Sequence, residues 1–300
     1  MPDGSLVTDR LPPTEDENPQ SAGLDLLPTP ALVELLIADQ RTAIDAVLAQ
    51  TQPIATAVDE IARRLRRGGR LHYVGAGSSG RIATLDASEM PPTFGTPPEM
   101  VQSHIAGGTP ALIQAVEGAE DDAEAGNDAM LECVRPDDAV LGISASGTAA
   151  FVVAAIARAK TIGAYTMGLT VDAESALARA ADLVIVLPTG AEVIAGSTRL
   201  KAGTAQKVAL NAISTAVMVR LGKVHDNLMV DVVANNRKLS GRALRLVVRL
   251  AQVNQARAEE LLTQAGGSIK IAVVMERHRV DAKQARALLQ QNDGVLRQLL

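Results

Sequence analysis

The sequence predicts an α/β fold: a doubly wound, mostly parallel five-stranded sheet, with helices before it and a small helical unit after it. Three observations carry this. Between residues 71 and 187, short apolar runs alternate with helical periods, the pattern of strands buried on both faces by crossover helices. Hydrophobic content is 47%, yet there are only two Tyr, two Phe and no Trp. Aliphatic residues and alanine must build the core, which suits helices packed closely on a sheet. Two of the apolar runs end in Gly/Ser-rich turns that lead into helices, as they do at the ligand edge of parallel sheets.

The elements follow in order. Residues 1–25 are polar and proline-bearing, and are expected to be loosely ordered unless a partner pins them. Pro28 to Gln50 carries one helical period through Leu32, Leu36, Ala43, Ile44, Val47 and Leu48. Ile54 to Arg66 is a second amphipathic helix, ended by Gly68-Gly69. Leu71-His72-Tyr73-Val74, bounded by Gly75, reads as the first strand. A helix opens at Ile82, and Pro91-Pro92 is expected to stop it. Val101 to Ile105 is the second strand, followed by helical periods at Pro110–Glu117 and Asp121–Val134. Ala139 to Ile143 is the third strand and Ala149 to Thr161 its helix. Ala164–Leu169 and Leu183–Leu187 supply the fourth and fifth strands.

Arg199 to Leu221 is a long helix bearing Lys201, Gln206, Lys207 and Asn211 among small residues. Asn227 to Asn236 mixes apolar and amide residues. Ala256–Ala265, Ser268–Arg277 and Asp281–Gln291 then predict a three-helix unit. The expected division is a segment 1–25, a main domain 26–222 and a C-terminal helical region 223–300.

Net charge is −5 with both signs dispersed and no basic stripe, so nucleic acid is not an expected partner. The lone Cys133 excludes an intramolecular disulfide framework, and four scattered His residues have no metal-ligand spacing. No apolar run reaches the length of a membrane span. A cytoplasmic protein without metal or membrane is expected.

The turn Gly75-Ala76-Gly77-Ser78-Ser79-Gly80 joins the first strand to its helix. Glycines let the backbone approach a ligand, and the helix start offers unpaired N–H groups and a positive dipole end. Ser78, Ser79 and Gly80 are therefore candidates for holding a phosphate. The letters fit the dinucleotide fingerprint, but the acidic residue that should close the next strand is missing. Ser144-Ala145-Ser146-Gly147-Thr148 repeats the arrangement after the third strand, adding Ser146 and Thr148. A plain strand-to-helix turn and simple N-capping remain the alternatives at these two places.

Two groups of acids are candidates for proton transfer. Glu89 falls in the expected last helical turn, against the negative end of the dipole, and so needs another reason to be there. Glu117, Glu120 and Asp121 crowd around Gly118. If that stretch is helical they repel; if Gly118 breaks it, Glu120 opens the next helix and suits its dipole. The stretch of helix from Gly80 to Glu89 spans about 13 Å, longer than a hexose phosphate. Glu89 is therefore expected to reach a neighbouring subunit's phosphate turn, which implies a homodimer with sites at the interface.

Longer blocks carry a resemblance. They are Thr14-Glu15-Asp16-Glu17-Asn18-Pro19, the turn through Gly80-Arg81, Asp86-Ala87-Ser88-Glu89, and Pro91 to Gly95. They continue with Ile105-Ala106-Gly107-Gly108, Val116 to Asp121, Gly196 to Lys207, and Asn227 to Val233. Together these resemble the N-acetylmuramic acid 6-phosphate etherases of the sugar-isomerase (SIS) fold, over nearly the whole chain. The resemblance implies cleavage of the lactyl ether of N-acetylmuramate 6-phosphate, giving N-acetylglucosamine 6-phosphate and D-lactate, without metal or redox cofactor. It places the acid/base pair on Glu89 and Glu120, with Glu89 as proton donor and Glu117 as a bystander. It gives Ser78, Ser79 and Ser146 the 6-phosphate. One departure stands out: where the family reads Ser-Gly-Arg-Thr-Pro-Tyr, this chain has Ser146-Gly147-Thr148-Ala149-Ala150-Phe151. A hydroxyl cannot replace the fixed charge of the missing arginine. The rival expectations are a non-catalytic sugar-phosphate-binding regulator of the glucokinase-regulatory type and a sugar-phosphate isomerase.

Overall fold

The computed structural model describes residues 11–231 and 237–300. Three helices come first: α1 (Thr29–Asp39), α2 (Arg41–Leu48) and α3 (Thr51–Arg66). The sheet region then runs β1 (Leu71–Gly75), α4 (Gly77–Phe94), β2 (Val101–Ile105), α5 (Ala123–Cys133), β3 (Ala139–Ile143), α6 (Ala150–Ile162), β4 (Tyr165–Thr170), α7 (Ala176–Ala180), β5 (Leu183–Val186) and α8 (Lys201–Arg220). All five strands are parallel, in the order β2-β1-β3-β4-β5. The expected doubly wound sheet is present. A two-residue hairpin, Val224–His225 with Leu228–Met229, leads to α9 (Arg237–Ala251), α10 (Gln255–Gln264), α11 (Ile269–His278) and α12 (Ala282–Gln291).

Alternation along the strands sorts their side chains onto two faces. Leu71 and Tyr73 of β1, with Leu141 and Ile143 of β3, join the core formed with α3, α4 and α8. Val74 and Val140 point the other way, into a core shared with Phe151, Val152 and Ile156 of α6 and Leu177 of α7. Small residues bring the layers together. A Cβ on Gly80 would lie 2.6 Å from Ile105 Cγ1 and 2.9 Å from the Gly75 carbonyl oxygen, so only glycine lets α4 rest on β1 and β2. The C-terminal helices bury a third cluster of their own, including Val247, Leu261, Val273 and Leu296.

Several elements depart from expectation. The single helix over Pro28–Gln50 is two, divided at Gln40. The helical period at Pro110–Glu117 forms only a short 3-10 turn, Thr109–Leu112. Thr109 to Gly118 surrounds an open cavity and buries little but Ala111, so nothing outweighs the cost of ordering a helix there. Pro91 and Pro92 do not stop α4, which runs on to Phe94 and closes at Gly95 (φ 62°). Met90 and Phe94, one turn apart and both buried, hold the last turn against the core despite two missing N–H donors. Glu89 consequently sits inside the helix, and the expected clash with its negative end does not arise.

The C-terminal unit has four helices rather than three, because α9 packs on α10 and α11. At the other end, residues 1–10 lie outside the described residues. The rest of the N-terminal segment is not loose: the chain itself is the partner that pins it. Thr14 is buried and its carbonyl accepts from Gly196 N–H at 2.8 Å, while Asn18 Nδ2 donates to the Ala191 carbonyl at 3.4 Å.

Candidate active site

Strand order reverses between β1 and β3, which places a crevice beyond their carboxyl ends. Both hydroxyl-rich turns fall there, side by side, since Gly75 pairs in register with Ile143. The first is shorter than expected. Gly77 (φ 52°) already opens α4, so Ser78, Ser79 and Gly80 form its first turn rather than a loop. Its N-cap, Ala76, supplies no side-chain cap, and the first N–H groups of α4 face the crevice without one. Ser78 is half-buried. Ser79 is buried and its hydroxyl donates to Gln206 Oε1 at 2.9 Å, tying α4 to α8. Gly80 N–H is spent on the Ala76 carbonyl.

In the second turn, the Ser146 and Thr148 hydroxyls share a hydrogen bond of 2.7 Å. Gly147 between them has φ 70°, and a Cβ there would lie 2.2 Å from Ser175 Oγ. Only glycine lets this turn fold back under α7. Phe151, which stands where the resemblance expects a tyrosine, is buried in the core.

Glu120 belongs to a 3-10 turn, Ala119–Asp121, begun by Gly118 in a left-handed conformation (φ 72°). Gly118 therefore breaks any helix, and Asp122 caps α5 by accepting from Ala125 N–H. Glu120 is exposed and lines a cavity of about 200 Å³ with Gly77, Arg81, Ala106 and Glu117. The start of α4 and one candidate carboxylate thus meet in one cavity. Arg81 donates to the carbonyls of Ala111 and Gln114, fixing the loop that carries Glu117 and Glu120 against α4.

Glu89 lies elsewhere. It lines a cavity of about 250 Å³ between α4 and α8, together with Asp86, Lys207, Asn211 and Ser214. The chain does not bring Glu89 to its own Glu120 cavity, because α4 separates them along its length. Beneath Glu89 is a buried network. Asp86 Oδ2 accepts from Tyr73 OH at 3.0 Å, and Asp86 Oδ1 accepts from Asn211 Nδ2 at 2.8 Å and Ser214 Oγ at 3.1 Å. Burial pushes the Asp86 carboxyl above its ordinary range, against the pull of those three donors and of Lys207. Burial likewise raises Tyr73 well above the usual phenol range. Asn211 Oδ1 accepts from Lys207 Nζ.

In the sequence, Lys207, Asn211 and Asp86 stand out as polar residues but have no assigned place in a site. Their spacing was the available signal: Asp86 and Glu89 lie three apart on α4, Lys207 and Asn211 four apart on α8, so each pair shares a helix face. Among the described residues, no group of His, Cys, Asp and Glu could hold a metal ion, and no helix is long and apolar enough to cross a membrane.

Two family models match the chain. The glucokinase regulatory protein N-terminal SIS domain matches residues 53–160, and the SIS domain matches residues 116–216. A solved structure of a Bacteroides fragilis protein involved in capsule formation superposes with a TM-score of 0.50 at 22% identity, covering 65% of this chain and 94% of that one. This likeness is one of fold. Curated relatives are nearer. The N-acetylmuramic acid 6-phosphate etherase of Gloeobacter violaceus is 47% identical over 284 residues, 94% of this chain and 93% of that protein. That of Symbiobacterium thermophilum is 49% identical over 261 residues, 87% of each chain. That of Deinococcus radiodurans is 46% identical over 288 residues, 96% of this chain and 94% of its own. With both glutamates and both hydroxyl-rich turns present on a SIS-type sheet, and identity of this level along almost the whole length, the chain belongs to the N-acetylmuramic acid 6-phosphate etherase family.

Proposed function

We propose that this enzyme cleaves the D-lactyl ether of N-acetylmuramate 6-phosphate, giving N-acetylglucosamine 6-phosphate and D-lactate, by elimination and then hydration. The observation that carries it is the end-to-end identity with relatives of that one name. In the open-chain sugar the aldehyde acidifies the hydrogen on carbon 2. A carboxylate removes that proton. A carboxylic acid protonates the ether oxygen on carbon 3, and lactate leaves as the carbon–carbon double bond forms. Water then adds across this bond, its hydroxyl to carbon 3 and its proton to carbon 2. Both transfers are general acid–base steps.

The uncapped N–H groups at the start of α4, with Ser78, Ser146 and Thr148, hold the 6-phosphate. Ser79 contributes its backbone N–H, its hydroxyl being engaged by Gln206. Gly80 contributes by having no side chain, which lets α4 sit against the sheet. Glu120 opens into the cavity beside the first turn as the other member of the acid/base pair, and Glu89 acts as proton donor to the ether oxygen. Glu89 and the phosphate turn of the same chain stand about 13 Å apart along α4. A homodimer in which each site takes Glu89 from one subunit and Glu120 from the other satisfies both. An apolar groove lined by Ile44, Leu48, Ile54, Val208 and Val219 at α2, α3 and α8 gives a second copy a surface to cover.

Incubation with N-acetylmuramate 6-phosphate and measurement of D-lactate tests the reading. Tight binding without lactate would make the protein a regulator, and aldose–ketose interconversion would make it an isomerase. Mixing inactive Glu89→Gln and Glu120→Gln proteins tests the shared site: mixed dimers then hold one intact site and regain activity, whereas a site contained in one chain stays dead in the mixture.

A further inference from the structure

We propose that Lys207 forms a carboxylate-binding subsite beside Glu89, which reads the acidic end of the leaving group. The inference rests on the etherase reading above. In a lactyl ether the carboxylate carbon is two bonds from the ether oxygen. Whichever group protonates that oxygen must therefore have the ligand's own carboxylate at its side. Once that group has given up its proton, two anions share one small cavity and repel, so the cavity needs a cation.

Among the described residues lining the Glu89 cavity, Lys207 is the one cation. The network beneath it fixes its position. Asp86 can only accept, and its donors include Asn211 Nδ2. That contact turns the Asn211 amide so that Oδ1 faces outward, where it accepts from Lys207 Nζ. The ammonium has three donors and Asn211 takes one. Lys207 is itself exposed, so the others remain open to the cavity mouth. Met90, Phe94 and Leu210 supply apolar wall nearby, a surface suited to the lactyl methyl group. Asp86 and Asn211 are thus positioning residues, and Lys207 is the group that meets the ligand.

The test compares N-acetylmuramate 6-phosphate with its carboxamide, which keeps the shape and loses the charge. Binding of each is measured by calorimetry in a Glu120→Gln background, which holds turnover down. That background should prefer the carboxylate by about tenfold or more, the size of a charge-assisted contact. Adding Lys207→Met should bring the ratio close to one, and adding Lys207→Arg should keep most of it. An undiminished preference in Lys207→Met overturns the subsite, as does equal weakening of both sugars. D-lactate release by the unmutated protein is followed in parallel. Its absence would overturn the etherase reading while the binding ratio still decides Lys207. Failure to bind either sugar overturns both.

Discussion

Removing His104 should flatten the acid limb of this protein's stability curve. His72 of β1 stands between His104 of β2 and Asp138, the residue before β3: its Nδ1 lies 3.0 Å from His104 Nε2, and its Nε2 lies 3.2 Å from Asp138 Oδ2. Burial lowers His104 from 6.5 to about 4, helped by the charges of His72 and Arg70. A base whose folded value is depressed contributes fully above its unfolded value, and that contribution is lost as pH falls toward the folded one. The window is therefore pH 6.5 down to about 4. One proton's linkage is about 1.4 kcal/mol per pH unit. Between pH 7.5 and pH 5 the loss comes to about 2 kcal/mol, an upper limit because His104 is only partly enclosed. Asp138 does not confuse the reading. Burial alone would raise it, but bonds from His72, Arg70 and the Arg135 N–H hold it well below the usual carboxylate range. Its contribution is lost only at more acid pH, below the unfolded carboxylate value of about 4. Urea unfolding of the wild type and His104→Gln at the two pH values measures the difference. Parallel losses in the two proteins would refute the reasoning.

Glu89→Gln and Glu120→Gln should each lower D-lactate release by about a hundredfold or more; a near-normal rate in either removes that residue from the mechanism. Gly80→Ala places a methyl against Ile105 and the Gly75 carbonyl, and should cost about 2 kcal/mol in urea titration. A variant as stable as the parent would show that α4 can lift without penalty. Lys201→Met strands Asp39, its partner at 3.0 Å, with both side chains 5% exposed. The expected loss is about 3 kcal/mol, and a change below about 0.5 kcal/mol would mean that Asp39 simply takes up a proton or water.

Much of this molecule is legible in its sequence. The mostly apolar runs at 71–75 and 139–143 mark buried strands, because a strand covered on both faces has little polar side to show, whereas Val101–Ile105, with Gln, Ser and His between its apolar ends, is the half-buried edge strand. The turn after Gly75 and the turn around Gly147 are legible for a different reason. Glycine is required there by a backbone or a neighbour that leaves no room for a Cβ. Gly118 is legible as a break in the chain, but its neighbour Glu120 entered the site only through the family resemblance, and it is Asp122 rather than Glu120 that opens α5. Pro91 and Pro92 mislead, since their local preference to end a helix is outweighed by the burial of Met90 and Phe94, which no local rule contains.

By itself, then, the sequence determined the strands, the two glycine-bearing turns, the chemical character of the carboxylates and the family. These depend on the period of burial and on the backbone freedom of single residues, which neighbours along the chain define. Only the tertiary structure decided that Glu89 and Glu120 open into different cavities. It alone seated Lys207 and Asn211 beside Asp86, and pinned the Thr14 segment on Gly196. Those outcomes turn on which faces of α4 and α8 meet across more than a hundred residues of chain, and packing of the whole core sets that.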